Sequence, residues 1–376
     1  MRLTARRLNR ATLGRQLLLD RERLDVAGAV RRVVALQAQE AASPYLALWN
    51  RLAGFDPADL DAALADQTVV KATLMRITLH AVHADDYPAF HNAMLSSLRA
   101  SRLHDRRFKT SGLTIAEVDA LLPHLLEFTA RPRTKDEVED LLEARLGDRN
   151  PWTWWALRTF APLLHTPTGA PWSFGPRASV VAAPARLPVE EREASVRWLV
   201  RRYLEGFGPA TVADVAQFSL LTRAVVRDAL GALAGEVEEL AGPDGTTLFD
   251  LPGAPLPPED TPAPPRLLPM WDSVLLAYAD RSRVIPPEYR RLVTRNNGDV
   301  LAALLVDGHV AGVWRPVEDG IEATAFHRLP DDTWTGLAAE AGALVAFLAD
   351  REPLVYRRYA HWWAKLPSAD TRVLPG

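Results

Sequence analysis

The apolar positions of this chain form a supersecondary pattern that recurs at intervals of about 80–90 residues. The third copy is the cleanest. Residues 187–205 read as an amphipathic helix stopped by Gly206 and Gly208-Pro209. Thr211 then caps TVADVAQFSLL, in which Val212, Val215, Ala216 and Leu220 recur at helical spacing. Thr222 caps another short helix, TRAVVRDALGAL, and the alternating segments EVEEL and TTLFDL follow, joined at Asp244-Gly245, a hairpin signal. Helix, helix, turn, helix, hairpin is the winged-helix order, a helix-turn-helix variant whose hairpin is the wing.

The second copy contains TIAEVDALLPHLLEF and TKDEVEDLLEARL, the latter opened by a Thr134/Glu137 capping box. PWTWWALRTFAPL follows, and LLHTP and SVVAA then flank the turn-rich GAPWSFGPR. In the first copy the helices are DVAGAVRRVVALQ, PYLALWNRLA and DPADLDAALAD, the last capped by Asp56 with Pro57 at its first position. TVVKATLM and ITLHAVH give its two strands. Past residue 251 the texture changes: residues 252–269 hold eight prolines, a semi-rigid linker. Beyond it, strands turn at Asp307-Gly308 and Asp319-Gly320, and a helix from Trp334 closes the module.

These readings predict an α+β chain of three tandem winged-helix units, at residues 1–112, 113–184 and 185–251, a linker at 252–269 and a C-terminal β-rich module at 270–376. With no Cys among 376 residues, thiol nucleophiles, thiolate zinc sites and iron–sulfur clusters are excluded. No apolar stretch follows the basic MRLTARRLNR, and runs such as VLAALLV are far too short for a membrane span. The expected location is the bacterial cytoplasm, at the nucleoid when bound to DNA. No glycine-rich nucleotide loop and no histidine pair at metal spacing occurs, so neither a cofactor nor a metal is expected.

Net charge is −3, which argues against a nucleic-acid partner until it is partitioned. Residues 1–110 carry 17 basic and 11 acidic side chains, or +6; the remainder carries 27 and 36, or −9. Forty of the 44 basic residues are arginines, whose planar fork suits phosphates and base edges. The basic first third is therefore where a nucleic-acid site is expected, with the acidic third unit remote from it. PWTWWALRTFAPL is too apolar for a groove, and its Trp152, Trp154 and Trp155 are expected to pack in a core rather than stack on bases.

Within that first third, Gln37 and Gln39 bracket Ala38 at the end of the leading helix. In an extended segment this spacing puts both amides on one side. Two carboxamides there could hold a water, grip a sugar–phosphate edge or cap the helix. In LMRITLH, Arg76, Thr78 and His80 alternate with Ile77 and Leu79, as on one face of a strand. Arg295-Asn296-Asn297-Gly298 reads as a hairpin tip, and Asp280-Arg281 as either an ion pair or a phosphate contact.

Four stretches together, LQAQEAASPYLALWNRL, LMRITLH, LLPMWDSVLLAYADRSRVI and NNGDVLAALLVDGHVAGVW, closely resemble the AlkZ-type winged-helix DNA glycosylases, in the correct order and essentially end to end. The Gln-X-Gln form of the first resembles the branch that unhooks natural-product interstrand crosslinks, of the azinomycin type, for self-resistance. The resemblance implies that Gln37 and Gln39 are catalytic and that Arg31, Arg76, Thr78, His80, Arg281, Arg295, Asn296 and Asn297 contact DNA. Glu40 is expected to stand aside. An alkylated purine already carries positive charge, so its glycosidic bond needs an oriented water more than a strong acid. The expected protein is a monomeric, monofunctional glycosylase acting on cationic alkylpurines and crosslinks in duplex DNA. With no lysine expected near the Gln pair, hydrolysis without Schiff-base lyase activity is predicted. The competing readings are a non-enzymatic DNA-binding regulator or adduct-sequestering protein, and a scaffold for protein partners.

Overall fold

A computed structural model describes residues 2–184, 188 and 191–375. The chain is α+β, and local sequence rules account for most of its elements. Thr114, Thr134 and Thr211 each accept a backbone N–H three residues on, while Glu117, Glu137 and Asp214 return the bond, closing three capping boxes. Asp56 caps Pro57–Ala65. The helix expected from residue 187 is described as Arg192–Phe207; residues 187, 189 and 190 lie outside the described residues.

In each of the first three segments a helix is followed by extended backbone, two further helices and two antiparallel strands. In the first, Val26–Val33, Leu36–Gln37, Ser43–Arg51 and Pro57–Ala65 precede Val69–Thr73 and Leu79–His83. In the second, Ile115–Phe128, Arg133–Thr134, Lys135–Leu146 and Pro151–Phe160 precede Leu163–His165 and Ser179–Ala182. These strands do not form separate wings. They join into one six-stranded antiparallel sheet through the pairing of Lys71 with His165. In the third segment, Glu238–Ala241 and Thr247–Asp250 form a separate two-stranded sheet behind Arg192–Phe207, Val212–Ser219 and Arg223–Ala232.

The proline-rich stretch, expected as a linker through residue 269, ends in a strand. Arg266–Leu268 pairs with Ala303–Val306 and forms the edge of a five-stranded antiparallel sheet with His309–Val317, Gly320–Ala325 and Asp370–Leu374. Asp331–Leu348 packs against that sheet. The Asp307-Gly308 turn forms as expected, with φ of 45° and 81°.

Charge that looked free in the sequence is largely committed to packing. Arg10 pairs with Asp307, Arg15 makes a two-bond contact with Asp250 at 2.7 Å, and Arg51 does the same with Asp272 at 2.8 Å. Arg21 holds Glu340 at 2.7 Å. Arginines of the basic first third thus neutralise acids of the acidic remainder. The +6/−9 partition records ion pairs between distant parts of the chain as well as surface potential, so the acidic segments are not simply the part remote from the site.

Candidate active site

The Gln-X-Gln segment is placed by an abrupt change of backbone direction. Val26–Val33 is capped by Asp25 and stops at Val34, whose φ of 74° is costly for a β-branched residue. The space for this turn comes from Gly206: a Cβ there would lie 2.5 Å from Val34 Cγ2. Leu36–Gln37 then enters the sheet, Leu36 opposite Ala81 and Gln37 opposite His80, and the Ala38 N–H donates to the Leu79 carbonyl at 2.7 Å.

Beyond Gln37 the extended backbone ends, so the two amides do not share one environment. Gln37 is buried, and its Oε1 accepts a 2.7 Å hydrogen bond from Arg76. The same guanidinium nitrogen lies 3.3 Å from His80 Nε2, while His80 Nδ1 is 3.1 Å from the Thr78 carbonyl. A proton on Nδ1 leaves Nε2 to accept from Arg76, so a neutral ring completes the relay. Burial and the Arg76 charge hold the His80 pKa down at about 3. Arg76 therefore turns the Gln37 carbonyl inward and directs its NH₂ away, because guanidinium only donates.

This corrects the expected strand-face stripe of Arg76, Thr78 and His80. Met75–Ile77 is a tight 3-10 turn with Arg76 and Ile77 at φ 54° and 61°, and the strand begins at Leu79. His80 is fully buried, facing inward with Gln37, and Thr78 is half-buried with its hydroxyl bonded to the Met75 carbonyl. Burial and the neighbouring charge of Arg281 lower the Arg76 pKa to about 9. Arg76 Nη1 and Arg281 Nε are buried without a hydrogen-bond partner. Arg281 donates to Thr294 Oγ1 at 3.1 Å; Asp280 instead caps the following turn through Ser282, so the suggested Asp280–Arg281 ion pair does not form.

Gln39 is exposed, with Oε1 3.5 Å from the Leu79 N–H, at the outer limit of a hydrogen bond. It stands between two cavities. One, of about 270 Å³, is lined by Thr73, Ile77 and Trp154 together with the cations Arg102, Lys135 and Arg158. The other, of about 450 Å³, is bordered by Glu40, Lys71, Trp172, Phe174 and Arg177. The Glu40 carboxylate is engaged by Arg358 and by the Tyr359 hydroxyl at 3.0 Å.

The remaining candidates are dispersed. Arg31 is exposed and paired with Asp85 at 2.9 Å. The Arg295–Asn297 tip forms as expected, closed by Arg295 N–H to the Asp299 carbonyl at 2.8 Å, and leaves Asn296 and Asn297 exposed. Arg295 stacks on Trp362, 4.6 Å from its centroid, and Trp362 also donates to Asp299 at 2.8 Å. The 3-10 segment Arg357–Lys365, which also holds Glu40, thereby couples this tip to the Gln segment. Trp154 is buried and Trp155 is covered by Arg102 and Arg107, each 4.3 Å from its ring, so neither is open to a base.

Sequence reasoning missed Arg102, Lys135, Arg158 and Lys71. The first three come from different helices and acquire a common cavity only through packing. Lys71 overturns the premise that no lysine stands near the Gln pair: 32 residues from Gln39 in sequence, it borders the same cavity because a single strand, Leu79–His83, lies between Leu36 and Lys71 in the sheet, with Ala81 paired to both. Burial lowers its pKa to about 8, against the opposing pull of Glu40. Among the described residues no cluster of His, Asp and Glu converges in a way that could hold a metal ion.

The neutral histidines make an acid-stability prediction. His91 is buried, with Nε2 3.0 Å from the Phe160 carbonyl and its pKa held at about 4 by burial. Both His80 and His91 have folded pKa values below the ordinary 6.5, so their stability contribution is complete above pH 6.5 and is lost as pH falls through the folded values. His165 is held down in the same way, to about 3, and between pH 7.5 and pH 5 the three histidines together are expected to cost about 6 kcal/mol. Urea titrations at the two pH values measure it; an unchanged midpoint would contradict the neutral relay.

Comparison with known proteins identifies the family and the fold. The family described as DNA glycosylase AlkZ-like matches residues 30–347. An interstrand DNA cross-link repair glycosylase of Streptomyces sahachiroi is 26% identical over 344 residues, covering 84% of this chain and 90% of that protein. The solved structure of the Streptomyces sahachiroi DNA glycosylase AlkZ superimposes with a TM-score of 0.79 at 24% identity, covering 94% of this chain and 98% of that one. At that identity the superposition speaks to the fold.

Proposed function

Since this chain belongs to the AlkZ-like DNA glycosylase family, it is a DNA glycosylase, and we propose that it hydrolyses cationic alkylpurines, including interstrand crosslinks, in duplex DNA as a self-resistance enzyme. The observation that carries this reading is the exposed Gln39 amide between two cavities, next to a Gln37 whose orientation Arg76 controls. Gln37 and Gln39 are the proposed catalytic pair. Their amides orient a water toward C1′ of the deoxyribose; its oxygen bonds to C1′ as the bond to N9 breaks. The bonding pair neutralises the positive purine, which leaves without an acid, and the water proton passes to solvent. A carboxamide is too weak a base to activate water against an uncharged purine, which restricts the substrates to self-activated cations.

The proposed DNA contacts are Arg31, Arg76, Thr78, Arg281, Arg295, Asn296 and Asn297. His80, buried at 0% exposure, acts through Arg76 instead. The adjacent positive charges of Arg76 and Arg281 support a nearby phosphate. The recurring order of helices and paired strands supports three winged-helix units as the scaffold, and a monomer provides both amides from one chain. An open ridge at Gln39, rather than a closed pocket, suits a crosslinked base that cannot be fully extruded.

The test is release of 7-methylguanine from a duplex, with abasic sites counted after alkaline cleavage. Base release with no enzyme–DNA adduct trapped by borohydride is the expected outcome. Tight binding without release would make this an adduct-sequestering protein, and a trapped adduct on Lys71 would replace water with an amine nucleophile.

A further inference from the structure

Gln39 stands at the proposed reaction centre, yet its own contacts hold it loosely. It lies in a bend between Leu36–Gln37 and Ser43–Arg51, and its side chain meets the Leu79 N–H at 3.5 Å, too long to fix an amide. Orienting a water at a sugar carbon demands a well-placed amide, because small displacements of a reacting group are costly in rate. The placement therefore falls to the chain on either side. Before Gln39, the Ala38 N–H donates to the Leu79 carbonyl at 2.7 Å. After it, Glu40 is held through its side chain.

The groups that hold Glu40 come from the other end of the sequence. Arg358 and the Tyr359 hydroxyl both donate to Glu40 Oε2, the hydroxyl at 3.0 Å. The Arg358 guanidinium lies over the Tyr359 ring, 4.7 Å from its centroid, so the two donors reach one carboxylate oxygen as a unit. Burial and the Glu40 charge push the Tyr359 pKa up to about 12, which keeps its proton in place as a donor. Tyr356, buried at φ 66°, pins the far end of the bend, its hydroxyl 2.9 Å from Ser43 Oγ. The opposite side of the segment is anchored as well. Tyr359 meets Trp271 edge-on at 5.4 Å, the Trp271 indole donates to the Gly298 carbonyl at 3.1 Å, and Trp362 donates to Asp299 at 2.8 Å. With side chains 67% and 21% exposed, the Arg358–Glu40 pair adds little to folding stability. What it restricts is the conformation of the bend.

We propose that Arg358 and Tyr359 are positioning residues for base release: by clamping Glu40 they hold the Gln39 amide against the attacking water. The proposal rests on the glycosylase reading for the role of Gln39. It adds two residues that lie 318 and 319 positions from Glu40 in sequence, and it gives Glu40 a mechanical part in place of a chemical one.

The test uses the full chain and three readouts: the single-turnover rate of 7-methylguanine release, the anisotropy Kd for unmodified duplex, and the urea midpoint. Glu40→Ala is expected to slow release about tenfold while Kd stays within about twofold and the midpoint scarcely moves. Arg358→Ala should slow release in the parent but add nothing in the Glu40→Ala background, because both variants open the same clamp. Glu40→Gln keeps an acceptor for both donors and should recover at least about half of the parental rate. A Glu40→Gln variant as slow as Glu40→Ala would make the carboxylate a chemical group and overturn the clamp. Weaker duplex binding with a flatter salt dependence on Arg358→Ala, in both backgrounds, would make Arg358 a phosphate contact instead. Parental rates in Glu40→Ala overturn the positioning role alone. A parent protein that releases no base overturns the glycosylase reading and this proposal with it.

Discussion

Gln39→Ala is expected to lower kcat/KM for release of 7-methylguanine by at least about 100-fold, or ~2.7 kcal/mol of transition-state stabilisation, while binding to unmodified duplex stays within about threefold. The two effects separate because Gln39 is exposed and makes only a marginal contact with the Leu79 N–H, so truncation removes an amide from the ridge and little from the fold. Gln37→Ala should reduce the rate comparably but less cleanly. It also strands the Arg76 guanidinium, which already has one nitrogen without a partner, in a buried position. Single-turnover rates with an anisotropy Kd for each variant are the measurement. Parental rates in both variants would remove the Gln pair from the chemistry, and parallel losses of rate and binding would make the pair a DNA contact.

The largest expected effect on stability is that of Asp272→Ala, a loss of about 3–5 kcal/mol in urea titrations. Arg51 and Asp272 are both 0% exposed and share two hydrogen bonds of 2.8 Å, joining Ser43–Arg51 to the start of the C-terminal region. Removing the carboxylate leaves a guanidinium buried with no counter-charge, and its Nε already has no partner. The neighbouring Ser273 hydroxyl donates to the Ala35 carbonyl at 2.8 Å, one residue before the strand that carries Gln37. The variant is therefore expected to lose activity at temperatures where it remains folded. Arg51→Met with Asp272→Leu should recover most of the stability, because the desolvation cost disappears with both charges. A loss below about 1 kcal/mol for Asp272→Ala would show that water reaches the pair.

The Gln segment illustrates how much of the site could be read from the chain. That Gln37 and Gln39 lie near the end of the leading helix was legible, but the apolar pattern carried that helix through Gln37, whereas the structure ends it at Val33 and places Leu36–Gln37 in a strand. The different surroundings of the two amides were not legible. Gln37 meets Arg76 across the sheet, and Arg76 reaches it from a turn with positive φ that reads, by alternation alone, as more strand. Lys71 was invisible for the same reason: its place beside Gln39 follows from strand order, to which nothing in residues 60–80 testifies.

Local order was determined by the sequence alone. The three capping boxes, the Asp-Gly turns, the Asn-Gly tip and the succession of helices and paired strands each rest on bonds between residues within about four positions of one another. Tertiary structure decided what those elements are for. It fused strands from two segments into one sheet at Lys71 and His165, and it spent Arg10, Arg15 and Arg51 on carboxylates more than 200 residues away. It also left one nitrogen each of Arg76 and Arg281 buried without a partner, and set the Lys71 ammonium over the Phe174 ring. Charge and burial are properties of the assembled neighbourhood, because desolvation depends on every atom within several ångströms, and most of those atoms come from distant parts of the chain.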